Sequence, residues 1–186
     1  IDRGVGIRAV QGEKQAFAYS DDITLAAMEA AAAAARAIGR QGVSAVAPLT
    51  RSRTGLTLYA PSDPVVSLRE EAKVSLLERL ERLARARDSR VVQVMASLAG
   101  EYDVMLVARS DGLCAADVRP LVRVSLTVIV EENGRREQGF SGGGGRFDYG
   151  YFTDAVLADY ATQAVAQAVL NLGAREAPAG MMTIVL

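Results

Sequence analysis

The sequence predicts an α+β fold in which helices pack on largely antiparallel sheets. Several segments alternate apolar and polar residues with the period of two that is typical of strands, and other segments carry apolar residues at helical spacing. Short turn sequences join neighbouring strands, as antiparallel pairing allows. The predicted order is hairpin, helix, helix, antiparallel meander, helix and strand.

A hairpin and an alanine-rich helix open the chain. Gly4–Val10 alternate, Gln11–Lys14 form a turn, and Gln15–Tyr19 return as the second strand. A helix follows over Ile23–Ile38, and its run of alanines permits close packing on a sheet.

A connection rich in Gly, Ser, Pro and Arg covers Arg40–Pro64. We expect one short strand within it, at Leu56–Tyr59. Composition changes on either side of the connection, which predicts two domains, residues 1–60 and residues 61–186.

The second domain is expected to begin with a helix. Ser67 and Glu70 match the S-x-x-E capping box, in which two side chains satisfy the free N–H groups of a helix start. Apolar residues then recur at helical spacing to about Arg87, so the helix is predicted to end there.

An antiparallel meander is predicted next. Val92–Leu98 alternate up to a turn at Ala99–Glu101, and Tyr102–Arg109 return to a second turn at Ser110–Gly112.

A long strand then covers Leu121–Val130, and Pro120 precedes it at a position that tolerates a missing N–H group. Asn133–Gly134 predict a type I′ hairpin turn, and Arg135–Ser141 return.

The last predicted elements are a helix and a strand. The helix covers Ala155–Leu172, with Thr153 or Asp154 as its cap and Gly173 as its stop. Met181–Leu186 are apolar and predict a final strand. Because the chain starts without methionine and ends on this strand, we expect a fragment of a longer protein.

Composition argues against several classes of protein. The 186 residues are 50% hydrophobic and 23% charged, and 21 Lys and Arg face 22 Asp and Glu for a net charge of −1. General binders of nucleic acid or of membrane surfaces need a basic excess. We therefore expect neither as a partner, although a local basic patch stays open. No segment approaches the roughly 18 apolar residues of a membrane span.

Histidine and cysteine usage narrows the chemistry. The chain has no histidine and a single cysteine, Cys114. No disulfide can form within the chain, which favours a reducing, cytoplasmic setting. A histidine-based triad and a histidine-containing zinc site are excluded for this chain alone. Cys114 lies between small apolar residues and is expected to be a buried, inert thiol.

Two glycine-containing strings invite a nucleotide-binding interpretation, and neither supports it. Gly4–Ala9 match G-x-G-x-x-A, but the segment is itself a strand feeding a hairpin rather than a turn before a helix. Ser141–Arg146 lack the Gly-Lys-Ser/Thr of a P-loop. The four glycines in it form either a flexible loop or a place where another backbone, such as an extended peptide, approaches closely.

Arginines near these elements are the other candidates. Arg146 could hold a carboxylate. Asp117 is close in sequence to Arg119 and Arg123, and a structural ion pair with either is favoured over a substrate contact. Tyr149, Tyr151 and Tyr160 are interpreted as core or interface aromatics. The candidate substrate or interface contacts are therefore Gly142, Gly143, Gly144, Gly145, Arg146, Arg119 and Arg123.

Several strings together resemble the TldD/PmbA family of metallopeptidases, some of which are also called modulators of DNA gyrase. The strings are GVGIRA (4–9), GEK (12–14), FAY (17–19), DVRPLVR (117–123), EENGRRE (131–137) and SGGGGRF (141–147). The later strings are similar to the TldD branch rather than the PmbA, or TldE, branch.

The resemblance implies a zinc-dependent peptidase that matures microcin-type peptides and degrades unfolded or antitoxin peptides together with a TldE/PmbA-type partner subunit; a self-dimer is the other expectation. In the family, an H-E-x-x-x-H segment follows a strand like Met181–Leu186, and this sequence stops before it. No catalytic residue and no metal ligand is therefore carried onto the chain, which we expect to be inactive alone and to bind no zinc.

Two other functions stay open at this stage. One is a non-enzymatic interaction module that regulates a larger enzyme such as DNA gyrase. The other is a carboxylate-based hydrolase using Asp111, Asp117 or Glu131, but the spacing of these residues gives it no support.

Overall fold

The α+β class is confirmed by the computed structural model, which describes residues 2–38, 50–51, 58–175 and 180–183. The chain divides into two compact units, Ile1–Pro48 and Leu49–Leu186. Each unit is described by itself, and the domain boundary that the sequence predicts near residue 60 stays a prediction.

The first unit is a hairpin with one helix. Strands β1 (Val5–Gln11) and β2 (Lys14–Ser20) pair antiparallel in the predicted register of a tight hairpin. Helix α1 covers Leu25–Ile38 and buries Ala31 and Ala35. The buried positions of α1 are alanines, so the helix backbone comes close to the hairpin, as the sequence predicts.

The second unit is built around one very long strand. A short strand β3 (Thr50–Arg51) is followed by helices α2 (Pro64–Ser67) and α3 (Glu70–Arg85) and then by β4 (Val91–Ala108). The remaining elements are β5 (Leu113–Glu132), β6 (Arg135–Gly145), a 3₁₀ turn (Tyr149–Tyr151) and α4 (Asp154–Leu172). Strand β5 is central: β4 pairs antiparallel along one side, while β6 (antiparallel) and β3 (parallel) pair with separate parts of the other side.

The core lies between one face of this sheet and helices α3 and α4. The even-numbered residues of β5 from Val122 to Val130 are at most 1% exposed, and Leu80 and Leu157 pack against them. Tyr149 belongs to this core and Tyr160 packs against it, whereas Tyr151 is exposed and stacks on the ring of Phe147. The odd-numbered residues of β5 form the outer face of the sheet.

The predicted turn at Ala99–Glu101 is wrong, because β4 runs through it without interruption. Gly100 pairs with Val122, and a side chain at Gly100 would collide with the Tyr149 hydroxyl. A glycine inside a strand can mark the close approach of another group as well as a turn. Here it makes room for an aromatic ring.

Pro120 lies in the interior of β5 rather than early in it, since β5 already begins at Leu113. Pro120 pairs with Tyr102 of β4, and its carbonyl accepts a hydrogen bond from Arg146 on the opposite side. The N and C=O of a strand residue point to the same side. The missing N–H therefore lies on the side where β6 has already ended, and no strand bond is lost.

Helix starts were predicted with mixed success. The capping box is wrong: Ser67 ends the short helix α2 and donates to the Pro64 carbonyl, and α3 begins after Arg69 without a side-chain cap. In contrast, Thr153 caps α4 as predicted, by accepting from the Val156 N–H group. Asp63, a residue without the box pattern, caps α2.

The Asn133–Gly134 turn is confirmed, with positive φ at both residues, as a type I′ turn requires.

Arg90 lies at the base of the β4–β5 hairpin, where it pairs with Asp88 at 2.7 Å and with Glu132 at 3.2 Å. The Arg90 hydrogen bonds lower the pKa of Asp88 to about 2.

Two predicted strands are not found where residues are described. Of Leu56–Tyr59, Leu58 and Tyr59 lie outside any strand, and residues 56 and 57 lie outside the described residues. Residues 181–183 have no regular structure, and residues 184–186 also lie outside the described residues. Alternation over so few residues is a weak indicator of a strand. Cys114 is half-buried in β5 rather than fully buried.

Candidate functional site

The glycine run belongs to a strand and is not a loop. Gly142 to Gly145 form the end of β6 and pair in register with β5, from Ser125 to Val122. A side chain at Gly142 or Gly144 would collide with the backbone of β5 at Val124 or Val122. The backbone that approaches these glycines is therefore that of the neighbouring strand.

The other two glycines make room on the opposite face. A side chain at Gly143 would meet the Tyr160 hydroxyl, and one at Gly145 would meet the Phe147 ring. The four consecutive glycines thus let β6 lie flat between β5 and the aromatic residues around α4.

Strand β6 has a free edge, and α4 covers one part of it. The Asn171 side-chain amide donates to the Gln138 carbonyl at 3.0 Å, and the Phe140 N–H donates to Gln167 at 2.8 Å. These contacts show that the backbone N–H and C=O groups of the even-numbered residues of β6 point away from β5. Because the β5–β6 register is uninterrupted, the backbone groups of Gly142 and Gly144 point to the same free side.

Beyond Phe140 this edge is open. Among the described residues, no side chain or strand bonds to the outward N–H and C=O groups of Gly142 and Gly144. An open groove of about 510 Å³ lies here, with Gly142 in its lining between Arg123 and Phe140. Its other lining residues are Ser125, Leu126, Thr127, Ser141 and Gln163. We refer to the Gly142–Gly144 stretch as the open edge.

Arg123 lies beside the open edge on the outer face of the sheet. It pairs across the strands with Gly144, and its Nε donates to the Ser125 hydroxyl at 3.3 Å. Within the part of the chain that the structure describes, Arg123 has no carboxylate partner. Asp117 is paired with the other candidate arginine instead.

The second free edge of the sheet lies on β5, between its pairing with β3 and its pairing with β6. Asp117 here accepts from Arg119 at 2.6 Å and from the Tyr59 hydroxyl at 3.1 Å. The hydrogen bond from Arg119 is the largest cause of the lowered pKa of Asp117. The predicted pairing of Asp117 with Arg119 or Arg123 is thus resolved in favour of Arg119.

Arg146 also lies at this edge. Its guanidinium lies over the Tyr59 ring, 5.6 Å from the ring centroid, and donates to the Pro120 carbonyl at 3.4 Å. The outward carbonyl of Pro120 is therefore bonded by a side chain. We call Tyr59, Asp117, Arg119 and Arg146 the edge plug. Two of the predicted contact residues, Arg119 and Arg146, lie in it, away from Arg123.

The described residues do not fit a zinc site. No group of three or more Cys, Asp or Glu residues lies close enough together in them to hold a metal ion, and the sequence has no histidine. The Asp117 and Glu131 carboxylates, two of the catalytic groups considered from the sequence, are each paired with an arginine. A second concavity, of about 460 Å³ between α3 and the 3₁₀ turn, has mostly apolar walls, and its one charged lining residue, Arg79, pairs with Asp154.

The tip half of the β4–β5 hairpin is apolar and exposed. Val104, Leu106 and Val107 are 71%, 68% and 54% exposed. Because consecutive strand residues point to opposite faces, both faces of β4 are exposed here. Isolated exposed apolar residues are ordinary, but a contiguous patch of them marks an interaction surface. We refer to residues 102–108 and 113–118 as the hairpin arm.

No helix of the described residues is long and apolar enough to cross a membrane.

Comparison with known proteins decides the family. A family model described as the PmbA/TldA metallopeptidase central domain matches residues 63–172, and one described as domain 1 of the same metallopeptidases matches residues 1–39. The chain belongs to the PmbA/TldD metallopeptidase family. The resemblance in the sequence is thereby confirmed.

Curated relatives carry the name metalloprotease TldD homolog. The chain is 46% identical to the one from Haemophilus influenzae and 41% identical to the one from Buchnera aphidicola subsp. Schizaphis graminum, in both cases over its whole length. It spans about 40% of the length of each.

Solved structures share the fold. A crystal structure from Thermotoga maritima, whose name suggests a modulator of a DNA gyrase, superposes with a TM-score of 0.69 at 14% identity. It covers 95% of this chain, and 39% of its own chain is covered. A similarly named structure from Bacteroides thetaiotaomicron gives 0.69 at 12% identity, with 94% and 40% covered.

Sequence reasoning missed the residues that decide which edge is open. Gln167, Asn171 and Tyr59 carry no motif, and their role depends on where α4 and the segment before α2 pack. Only the run of glycines itself signalled a close backbone approach.

Proposed function

We propose that this chain is the non-catalytic, peptide-holding part of a TldD-type zinc metallopeptidase of the cytoplasm. Its substrates are unfolded peptides, as in microcin maturation or antitoxin turnover. The metal ligands and catalytic residues are proposed to belong to a part of the enzyme outside this sequence, which has no histidine and whose described residues hold no cluster of metal ligands. The metallopeptidase names of the family and of the relatives support this assignment.

The open edge carries the proposal. Gly142 and Gly144 offer outward backbone donors and acceptors next to a groove of about 510 Å³. An extended peptide can pair with such an edge as an added strand. Main-chain hydrogen bonds then supply most of the affinity, and selection by side chains is weak. An unfolded peptide of almost any sequence satisfies this requirement, whereas a folded protein has its backbone groups already paired.

Peptide binding to the chain tests the proposal. A fluorescent, unstructured peptide should bind, and the same peptide N-methylated at every residue of its central segment should bind at least about tenfold more weakly in any register, because N-methylation removes strand donors and keeps the side chains. The same peptide N-methylated only at its two end residues is the matched control and should bind like the unmethylated peptide. Equal binding of all three peptides would contradict docking by strand addition.

The non-catalytic assignment has a separate test. The chain incubated with zinc and an unfolded peptide should leave the peptide intact by mass spectrometry. Turnover that a chelator abolishes would overturn the assignment.

The hairpin arm supports a subunit contact in the same proposal. Its exposed apolar residues suit a TldE/PmbA-type partner subunit or a second copy of the chain. The arm also favours the rival function, an interaction module acting on a larger enzyme such as DNA gyrase. Val104→Lys with Leu106→Lys should abolish association in light scattering while peptide binding persists. Loss of partner binding with no peptide binding in the unaltered chain would favour the rival.

A further inference from the structure

On the outer face of the sheet, the glycines of β6 beside Arg123 leave a surface without side chains. Residues that pair directly across strands have their side chains on the same face. Arg123 of β5 pairs with Gly144 of β6, and Ser125 pairs with Gly142. Both glycines leave the outer face of β6 without side chains between β5 and whatever lies at the open edge.

A peptide strand added at the open edge would lie two strand spacings from β5, about 10 Å. Its residue opposite Gly144 would have its side chain on the same face as Arg123. Gly144 has no side chain that could lie between the two on this face. The long side chains of arginine and of an acidic residue can meet over that space.

Charge identifies the residue that would be preferred there. Arg123 is exposed and donates only through Nε, at 3.3 Å, to Ser125. Its two terminal nitrogens have no acidic partner among the residues that the structure describes. Arg119 of the edge plug and Arg90 at the hairpin base, by comparison, are engaged by Asp117 and Asp88. A planar guanidinium with free donors is suited to bidentate binding of a carboxylate.

We infer that Arg123 selects peptides with an acidic side chain at the position opposite Gly144. This inference rests on the proposed function, because it needs a peptide strand at the open edge. It narrows the substrate class from any extended peptide to extended peptides with one Asp or Glu in register with Arg123.

Binding of matched peptides to the chain tests the inference. One unstructured host peptide is made with Glu, Gln or Lys at a single central position, each with an amidated C-terminus. A fourth peptide has Gln at that position and a free C-terminal carboxylate. The Glu peptide should bind about fivefold more tightly than the Gln peptide, the size expected of a partly exposed charged pair. The free C-terminus should add nothing.

Variants of Arg123 complete the test. Arg123→Gln should make the Glu and Gln peptides equal, and Arg123→Glu should make the Lys peptide the tightest. Arg87→Glu is the matched control, since Arg87 is exposed after α3 without a side-chain partner among the described residues, and the Glu preference should persist in it.

The outcomes separate the two proposals. If the Glu and Gln peptides bind the unaltered chain equally, or if the preference survives Arg123→Gln, the inference fails while docking at the edge stands. Tighter binding of the free carboxylate in place of the Glu side chain also overturns it. If no peptide binds, the proposed function fails first.

Discussion

Strands β5 and β6 each leave backbone groups without a strand partner, and the chain treats the two edges differently. On β5, Asp117 accepts from Arg119 and from the Tyr59 hydroxyl, and Arg146 donates to the Pro120 carbonyl. On β6, side chains from α4 bond to Gln138 and Phe140, but no described group bonds to the outward side of Gly142 and Gly144.

An exposed strand edge invites pairing with other chains, and proteins usually cover it with charges, proline or neighbouring elements. The β5 edge has two of these means: the charged residues of the edge plug and Pro120. The open edge has neither a proline nor a described side chain bonded to its outward backbone groups. The proposed docking of an extended peptide at the open edge rests on this difference.

The largest expected effect comes from adding a side chain to a glycine of the open edge. Gly144→Ala places a methyl group against the Val122 carbonyl, so β6 must shift away from β5. We expect the free energy of unfolding to fall by about 2 kcal/mol or more, as for overpacked sites. Chemical denaturation measures it.

Gly173→Ala is the matched control. Gly173 has a negative φ, and an added methyl there makes only an ordinary contact, 3.6 Å from the Leu170 carbonyl. Its stability should change by less than about 0.5 kcal/mol. If both variants lose the same stability, the glycines of β6 are not required for its approach to β5.

A smaller effect is expected from uncovering the protected part of β6. Gln167→Ala removes the acceptor of the Phe140 N–H and should cost about 1 kcal/mol, while extending the open edge by one residue. Peptide affinity should then rise. Thr162→Ala removes only a hydrogen bond to the Ala158 carbonyl within α4, and it should leave peptide affinity unchanged. Equal affinity in both variants would contradict the idea that α4 limits the edge.

The edge plug gives a still smaller effect. Asp117→Ala leaves the Tyr59 hydroxyl and Arg119 without their acceptor and so loosens the edge plug; the melting temperature should fall and Val118 should exchange its amide hydrogen faster. Asp103→Ala removes a carboxylate from the paired position on β4, where no ion pair to Asp103 is found among the described residues. It should do neither. Unchanged exchange at Val118 in the first variant would remove the plug from the account.

The Asp117 carboxylate also predicts how the stability of the β5 edge depends on pH. The pKa of Asp117 lies below its ordinary 3.8, chiefly through the hydrogen bond from Arg119. Its contribution to stability is therefore present above about pH 4 and is lost as the pH falls below 3.8. The difference in melting temperature between the unaltered chain and Asp117→Ala should shrink over that range. A constant difference down to pH 2 would contradict the assignment.

Local signals in the sequence were sufficient for most helices and hairpins. Asn133–Gly134 and the Thr153 cap act through neighbours a few residues away, so the sequence contains all that decides them. Gly100 misled because glycine marks both turns and close approaches, and the Tyr149 ring that it accommodates is far along the chain.

The site was harder to predict for a physical reason. Glycines have no side chains, so the end of β6 shows no alternation, and the pairing of Gly142 to Gly145 follows only from the register set at the hairpin turn. Which edge stays open depends on the distant contacts of Gln167, Asn171 and Tyr59. Such contacts are set by packing and not by any pattern in the sequence.

Amide hydrogen exchange at single residues tests the central claim most directly. In the free chain, the N–H of Phe140 should be protected and those of Gly142 and Gly144 should exchange rapidly. Saturation with an unfolded peptide should slow exchange at both glycines and leave Val118 unchanged. Slow exchange at Gly142 and Gly144 before any peptide is added, or no change at them when bound peptide is demonstrated, would contradict the account.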